Sequence, residues 1–197
     1  MAVIFFGILV VYGNSLYCDW HYDDLLNIVY NPAIRMQSFD LESIMKAALE
    51  GHQQPGKIAR PLAYASFALN YMAGGLDVFG YHLVNLGIHA SSAAVLFLLI
   101  RNIFQLPNLR TRYQCQVEAI ALLATAFWAL HPLNVTAVTY IVQRMASMAA
   151  LFYLLALYCY VKGRLATSNW HRVFLYSACI VSGLAAMATK ENAFMLP

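Results

Sequence analysis

The chain has 197 residues, of which 61% are hydrophobic, 14% aromatic and only 11% charged, with a formal net charge of +3. A soluble globular domain carries about a quarter charged residues, so this composition excludes one and points to an all-α integral membrane protein. No basic tract is interleaved with aromatics, which argues against nucleic acid as a partner. The four cysteines, Cys18, Cys115, Cys159 and Cys179, are scattered, with no C-x-x-C and no histidine at ligand spacing, and predict neither a disulfide nor a zinc site.

Five segments have the length and apolarity of spanning helices, near residues 2–17, 82–104, 117–131, 141–161 and 172–190. The first, opening MAVIFFGILVVYG, has no basic leader, and Ser15 and Tyr17 make a poor cleavage site, so it reads as a membrane helix rather than a secretory signal. Its missing basic flank, and the apolar start at Ala193 after "KEN", lead to the expectation that residues 1–197 form one transmembrane module cut from a longer chain.

Between the first two segments lies a loop, residues 18–81, that opens with "DWHYDD". Three aspartates at the mouth of a hydrophobic segment are costly to place, because like charges repel and carboxylates resist desolvation. Further on, "SFDLESIMKAAL" offers Ser38 or Asp40 as an N-cap and spaces Leu41, Ile44, Met45, Ala48 and Leu49 along one face, predicting an amphipathic helix that ends at Gly51 and lies on the membrane surface. "HQQPGK" reads as a turn or mobile loop. "RPLAYASFALNYM" predicts a second short helix from Pro61 to just before Gly74 and Gly75.

Basic residues without acids mark two connections as cytoplasmic: Arg101, Arg110 and Arg112 in one, Lys162, Arg164 and Arg172 in the other. The 18–81 loop and "HPLNVTAVTY" then face the periplasm, exterior or lumen, and the amino terminus lies inside. The "NVT" at Asn134 matches a glycosylation acceptor but lies too close to the expected membrane surface to be used.

Two spanning segments carry polar stripes confined to their outer halves. His82, Asn85, His89 and Ser92 share one helical face, as do Thr136, Thr139, Tyr140, Gln143 and Ser147 with Arg144 at the edge; Thr189, Lys190, Glu191 and Asn192 close the last segment on the same side. Polar groups in a membrane face a bundle interior or a cavity, so the expectation is an outward-opening polar cavity between the second, fourth and fifth helices. The competing readings are interhelical glue in a scaffold without chemistry and a transport path through His82, His89, Arg144 and Glu191, which would need polar residues in the inner half as well.

The blocks "YDDLLNIVYNP", "GYHLVNLGIHA", "ALHPLNVTAV" and "TKEN", in that order, resemble the amino-terminal membrane region of the transmembrane and tetratricopeptide-repeat O-mannosyltransferases and their bacterial relatives, of the GT-C class. The resemblance implies a GT-C-like enzyme that takes a sugar from a polyprenyl or dolichyl phosphate and hands it to a protein or glycan acceptor. It implies an acidic catalytic base just after the first helix, here Asp23 or Asp24, and leaves open which one, or whether a divalent cation bridges them. Arg144 and Lys190, with His131, Arg60 and His89 behind them and His82 and Glu191 nearby, are the expected substrate-binding residues. The later helices that the resemblance implies, and its repeats of about 34 residues, are absent from these residues, so the segment alone is expected to be inactive.

Overall fold

The computed structural model describes residues 1–51, 60–113 and 115–195, and the described residues are helical with no strand. "HQQPGK" lies outside them. The helices are α1 (Ala2–Tyr12), α2 (Leu41–Glu50), α3 (Pro61–Gly74), α4 (Val78–Ile103), α5 (Pro107–Tyr113), α6 (Val117–Ala129), α7 (Val135–Thr139), α8 (Arg144–Leu165) and α9 (Asn169–Met187). α4 and α8 form the centre; α6 and α1 pack on α4, α9 on α8, and α2 on α3.

Two helical stretches are long and apolar enough to cross a membrane, Val78–Ile103 and Ile141–Leu165, and a third exists if Val117–Ala129 and Pro132–Thr139, bent by 51°, count as one. The five expected spans are thus not all matched. α1 is α-helical for only 11 residues before the chain tightens into a 3-10 helix at Gly13–Tyr17. α9 has the length, but its first turn holds His171 and Arg172, which lower its apolarity.

The expected stripe from Thr136 to Ser147 is divided. Tyr140 is extended (ψ 114°), so α7 ends at Thr139, a 3-10 turn covers Ile141–Gln143, and α8 starts at Arg144. The surface helix α2 is capped by Asp40, whose carboxylate accepts the Ser43 N–H at 2.8 Å, and ends at Gly51. Its apolar residues fall on two faces, however. Ala47 and Ala48 are buried and Ile44 packs on the same core as α3, while Leu41, Met45 and Leu49 face outward. Asp77 caps α4, and Gly75, at φ +61°, supplies the left-handed reversal from α3 that a side chain would strain.

Between α8 and α9 the approach is close at one point. A Cβ on Gly163 would lie 2.7 Å from the Tyr176 ring, whereas one on Gly87 would meet nothing within 4 Å. Gly163→Ala should therefore cost about 1–3 kcal/mol by overpacking and lower the melting temperature in detergent by several degrees. Gly87→Ala should leave it unchanged or raise it slightly. Equal melting of both variants would contradict this packing.

Candidate functional site

The chain from Cys18 to Val29 is held against α4 and the break before α8. His82 Nε2 lies 3.0 Å from the Cys18 carbonyl, and the Trp20 ring meets Tyr81 edge-on at 5.0 Å. Asp24 is fully buried; its Oδ1 accepts the Val142 N–H at 2.7 Å and its Oδ2 the His21 N–H at 3.0 Å. Asp23 is exposed, and its backbone N–H donates to the Tyr140 hydroxyl at 2.9 Å. The two aspartates thus differ in kind. Asp24 ties the segment to the first turn of the 141–165 helical stretch, where N–H groups lack intrahelical acceptors. Asp23 presents its carboxylate to the outside.

Two backbone features mark the segment. Tyr22 has φ +38°, a left-handed conformation that a non-glycine residue adopts only under constraint. Leu25–Val29 is a π-helix, a rare form that recurs at functional sites. Its end is fastened by Asn27 Nδ2 donating to the Asp23 carbonyl at 2.8 Å and the Tyr64 hydroxyl donating to Asn27 Oδ1 at 2.8 Å. Burial pushes the Asp24 carboxyl above the ordinary aspartate range, its two backbone hydrogen bonds opposing the shift.

The polar stripe of α4 is buried throughout: His82, Asn85, His89 and Ser92 face the bundle interior. They do not line an open cavity but hold backbone. His89 Nε2 sits 2.8 Å from the Ala129 carbonyl at the end of α6, and Asn85 Nδ2 lies 3.3 Å from the Ile141 carbonyl and 3.4 Å from that of Tyr140. Ser92 bonds back to Ile88 in its own helix.

Arg144, expected near a substrate phosphate, is fully buried instead. Its Nε donates to Asn85 Oδ1 at 2.7 Å, Nη2 to the Tyr81 carbonyl at 2.8 Å and Nη1 to the Ser66 carbonyl at 3.3 Å, with the guanidinium over the Phe67 ring at 4.8 Å. No acidic residue is paired with it among the described residues. His131 uses Nδ1 to accept the Leu133 N–H at 3.2 Å and acts as a cap of the turn after α6.

Arg60 and Glu191 form a two-pronged ion pair, at 2.9 Å and 2.5 Å, that joins the start of α3 to the 3-10 turn Glu191–Met195. Hydrogen bonds from Arg60 hold the Glu191 carboxyl below its ordinary value of 4.5. The Lys190 ammonium, whose charge also acts on Glu191, makes no hydrogen bond or ion pair among the described residues, and the residue lies on a cavity of about 360 Å³ with Trp128, Ala146, Ala149, Ala150 and Tyr153. Each Asp24 oxygen already accepts a backbone N–H, and no group of three His, Cys, Asp or Glu able to hold a metal occurs among the described residues. The two carboxylates are also placed unlike each other, Asp24 buried on backbone N–H groups and Asp23 exposed.

The site is thus a helical membrane protein's polar end: an exposed carboxylate on a constrained segment, a fixed carboxylate behind it and an unpaired lysine beside a groove. Comparison with known proteins agrees with the resemblance read from the sequence motifs. The chain is related over most of its length to the protein O-mannosyl-transferases named Tmtc. It is 35% identical over 188 residues to "Protein O-mannosyl-transferase Tmtc1" of Drosophila melanogaster, covering 93% of this chain and 20% of that protein. Identity to "Protein O-mannosyl-transferase Tmtc3" of the same fly is 30% over 205 residues, covering 93% and 22%. To "Protein O-mannosyl-transferase tmtc2" of Xenopus laevis it is 32% over 157 residues, covering 78% and 18%. The chain therefore spans about a fifth of the length of the curated relatives it matches. No family model matches it, and no solved structure matches it significantly.

Two outcomes check these placements. Arg144→Ala takes a donor from the buried Asn85 Oδ1 and Tyr81 carbonyl and from the part-buried Ser66 carbonyl, and should cost about 3 kcal/mol or more. Arg144→Lys, which keeps the charge but not the fork, should recover less than half of the loss in melting temperature. The Arg60–Glu191 pair, with its carboxyl pKa lowered on folding, stabilises above pH 4.5 and loses that effect as pH falls through the lowered value. Glu191→Gln should lower the melting temperature by about a degree or two at pH 7 and by nothing once the carboxyl of the parent is protonated.

Proposed function

We propose that the chain carries the acceptor-activating site of a GT-C-like, multi-pass membrane glycosyltransferase. It would move a mannose-like sugar from a polyprenyl or dolichyl phosphate to an acceptor hydroxyl, that of a protein Ser or Thr, on the external or luminal side. In this reading the amino terminus is cytoplasmic, and α1 and α9 also enter the bilayer. The relatives' names supply the reaction class. The observation that carries the site is the division between the aspartates: one exposed and unbonded through its carboxylate, the other buried and committed to backbone N–H groups.

Asp23 is then the base. As the acceptor oxygen attacks the anomeric carbon, its proton passes to an Asp23 carboxylate oxygen. The bond from that carbon to the phosphate oxygen breaks, and its electron pair leaves with the lipid phosphate. Asp24 is a positioning residue: it holds His21 and Val142 and so fixes the turn that aims Asp23. The leaving phosphate develops charge near a membrane interface, where a cation stabilises it. Lys190 is available for this; Arg60 is engaged by Glu191 and Arg144 is inside. The inward polar residues His82, Asn85 and His89 have backbone carbonyls as partners, which favours this reading over transport.

The test is transfer from radiolabelled polyprenyl-phosphate mannose in membranes containing the protein in its longest natural form. Asp23→Asn should lower transfer by about a hundred- to ten-thousandfold without loss of inserted protein. Asp24→Asn keeps one acceptor for Val142 and should lower transfer less; it should also remove the part of the acid limb of the pH profile that comes from the raised Asp24 carboxyl. Unchanged transfer in Asp23→Asn, or no transfer by the parent with any carrier, would overturn the assignment.

A further inference from the structure

The end of the bundle away from the aspartates is strongly basic. The two stretches long and apolar enough to cross a membrane, Val78–Ile103 and Ile141–Leu165, both carry the chain between the two ends. Arg101 follows Tyr81 by 20 residues and Lys162 follows Arg144 by 18, about 30 Å and 27 Å along their helices. A hydrocarbon core is about 30 Å thick, so a bilayer spanned by these helices has the aspartates at one surface and these cations at the other. Arg110, Arg112, Arg164 and Arg172 join them. Residues 101–118 and 162–172 contain a single acid, Glu118, which Arg101 holds at 2.7 Å.

Exposed cations at helix ends can simply rest among headgroups. Lys162 is placed differently. It lines a cavity of about 300 Å³ between the ends of α4 and α8 and the start of α9, with Asn102, Gln105, Thr167, Ser168 and His171. No acid lines this cavity, and the side chains of those five polar residues make no hydrogen bond among the described residues. The Lys162 ammonium donates to the Tyr158 hydroxyl at 2.8 Å, which leaves it two further N–H donors. Gln105 and Leu165 also line a second cavity, of about 470 Å³, that bears Arg110, so the two adjoin. Phe104 meets Tyr113 edge-on at 5.4 Å, which folds α5 back and keeps Arg110 beside them. On the other side Leu165, Ala166 and Leu175 are apolar, and Val173 and Phe174 of α9 face outward. The exposed Trp170 precedes them, a residue type enriched where a membrane meets water. A cavity of unpartnered donors, free of carboxylates and beside an apolar helix face, complements an anionic head joined to acyl chains. We infer that it seats the headgroup of an anionic phospholipid, with Lys162 and the Ser168 hydroxyl donating to phosphate oxygens and the acyl chains along Val173 and Phe174. Arg110 adds to the positive field around the phosphate. The site lies at the opposite end from Asp23 and does not rest on the glycosyl-transfer reading.

The experiment uses the protein in its longest natural form, delipidated in detergent, with phosphatidylglycerol, phosphatidylcholine or inorganic phosphate added and bound ligand counted by native mass spectrometry. Phosphatidylglycerol should bind about tenfold more tightly than phosphatidylcholine, and inorganic phosphate should not displace it. Lys162→Gln should weaken phosphatidylglycerol binding about fivefold, the effect of one cation close to the lipid charge. Arg164→Gln removes a neighbouring cation that does not line the cavity, and should weaken binding by less than about twofold. Ser168→Phe leaves the charge unaltered and fills the cavity; it should weaken binding about tenfold in protein that still melts cooperatively. Equal binding of phosphatidylcholine, or equal losses from Lys162→Gln and Arg164→Gln, would reduce this end to a diffuse basic surface and overturn the inference. Displacement by inorganic phosphate would make the cavity a site for a free anion and overturn it too. So would the absence of any bound lipid, or an unchanged affinity in Ser168→Phe. If that variant does not fold, the contrast between Lys162→Gln and Arg164→Gln decides alone.

Discussion

The end of the molecule that holds the aspartates depends on burying Arg144. A guanidinium inside an apolar bundle is costly unless its donors are met, and here they are met without any acidic side chain, by Asn85 Oδ1 and the carbonyls of Tyr81 and Ser66. The Tyr81 carbonyl lies near the start of α4 and that of Ser66 within α3, so the fork joins three helices at one point. Asn85 in turn reaches the carbonyls of Tyr140 and Ile141 at the helical break, adding a second donor to those of the Gln143 and Arg144 N–H groups. The break, the arginine and the asparagine therefore stabilise one another. Asp24 and Tyr140 then attach the catalytic candidate to this same turn, so the position of Asp23 is inherited from contacts well below it.

This explains why the polar stripes are where they are. Irregular backbone within a membrane is tolerated only where it is buried and its groups are satisfied. His89 serves the end of α6, Asn85 the end of α7, and His82 the end of the first 3-10 turn. Each of these residues meets a carbonyl at a place where a helix stops. Residues that look like a binding face in a helical projection are the means by which the other elements can be short.

Much of this was legible in the sequence, and some of it was not. The boundaries of α2 and α3 follow from Asp40, Pro61 and the glycines at 74 and 75, residues whose conformational preferences are local, whereas α4 starts at Val78, behind an Asp77 cap, four residues before the expected 82. The division of the stretch from Thr136 to Ser147 could not be read in that way. No glycine or proline interrupts it, and the extended Tyr140 is imposed by Asn85, Asp23 and Asp24, which are distant in sequence. For the same reason Arg144 read as a substrate-binding arginine at the edge of the stripe: its partners come from α3 and α4. The doublet at 23–24 was visible, but spacing cannot say which carboxylate is inside, because the Val142 N–H that holds Asp24 is distant in sequence. The i, i+4, i+8 row of Leu41, Met45 and Leu49 was seen, while its exposure depends on α3 taking the neighbouring row.

The strain at Tyr22 carries this furthest. The residue is 87% exposed, so its side chain contributes little packing to offset the left-handed backbone, and such a conformation costs about 1–3 kcal/mol. A loop free in water would relax it by rotating the Asp23–Asp24 pair outward. The segment does not relax because the Asp24 carboxylate would lose two backbone donors, and the buried Val142 N–H its acceptor, each a loss of about 1–3 kcal/mol. The burial that raises the Asp24 carboxyl also strengthens its hydrogen bonds, since both follow from the low local polarity. Strain and clasp together give Asp23 a fixed direction while its carboxylate stays in contact with solvent. The proposed role of Asp23 as a base calls for this combination, since a base must be aimed at an acceptor and still lose its proton to water once the acceptor has gone.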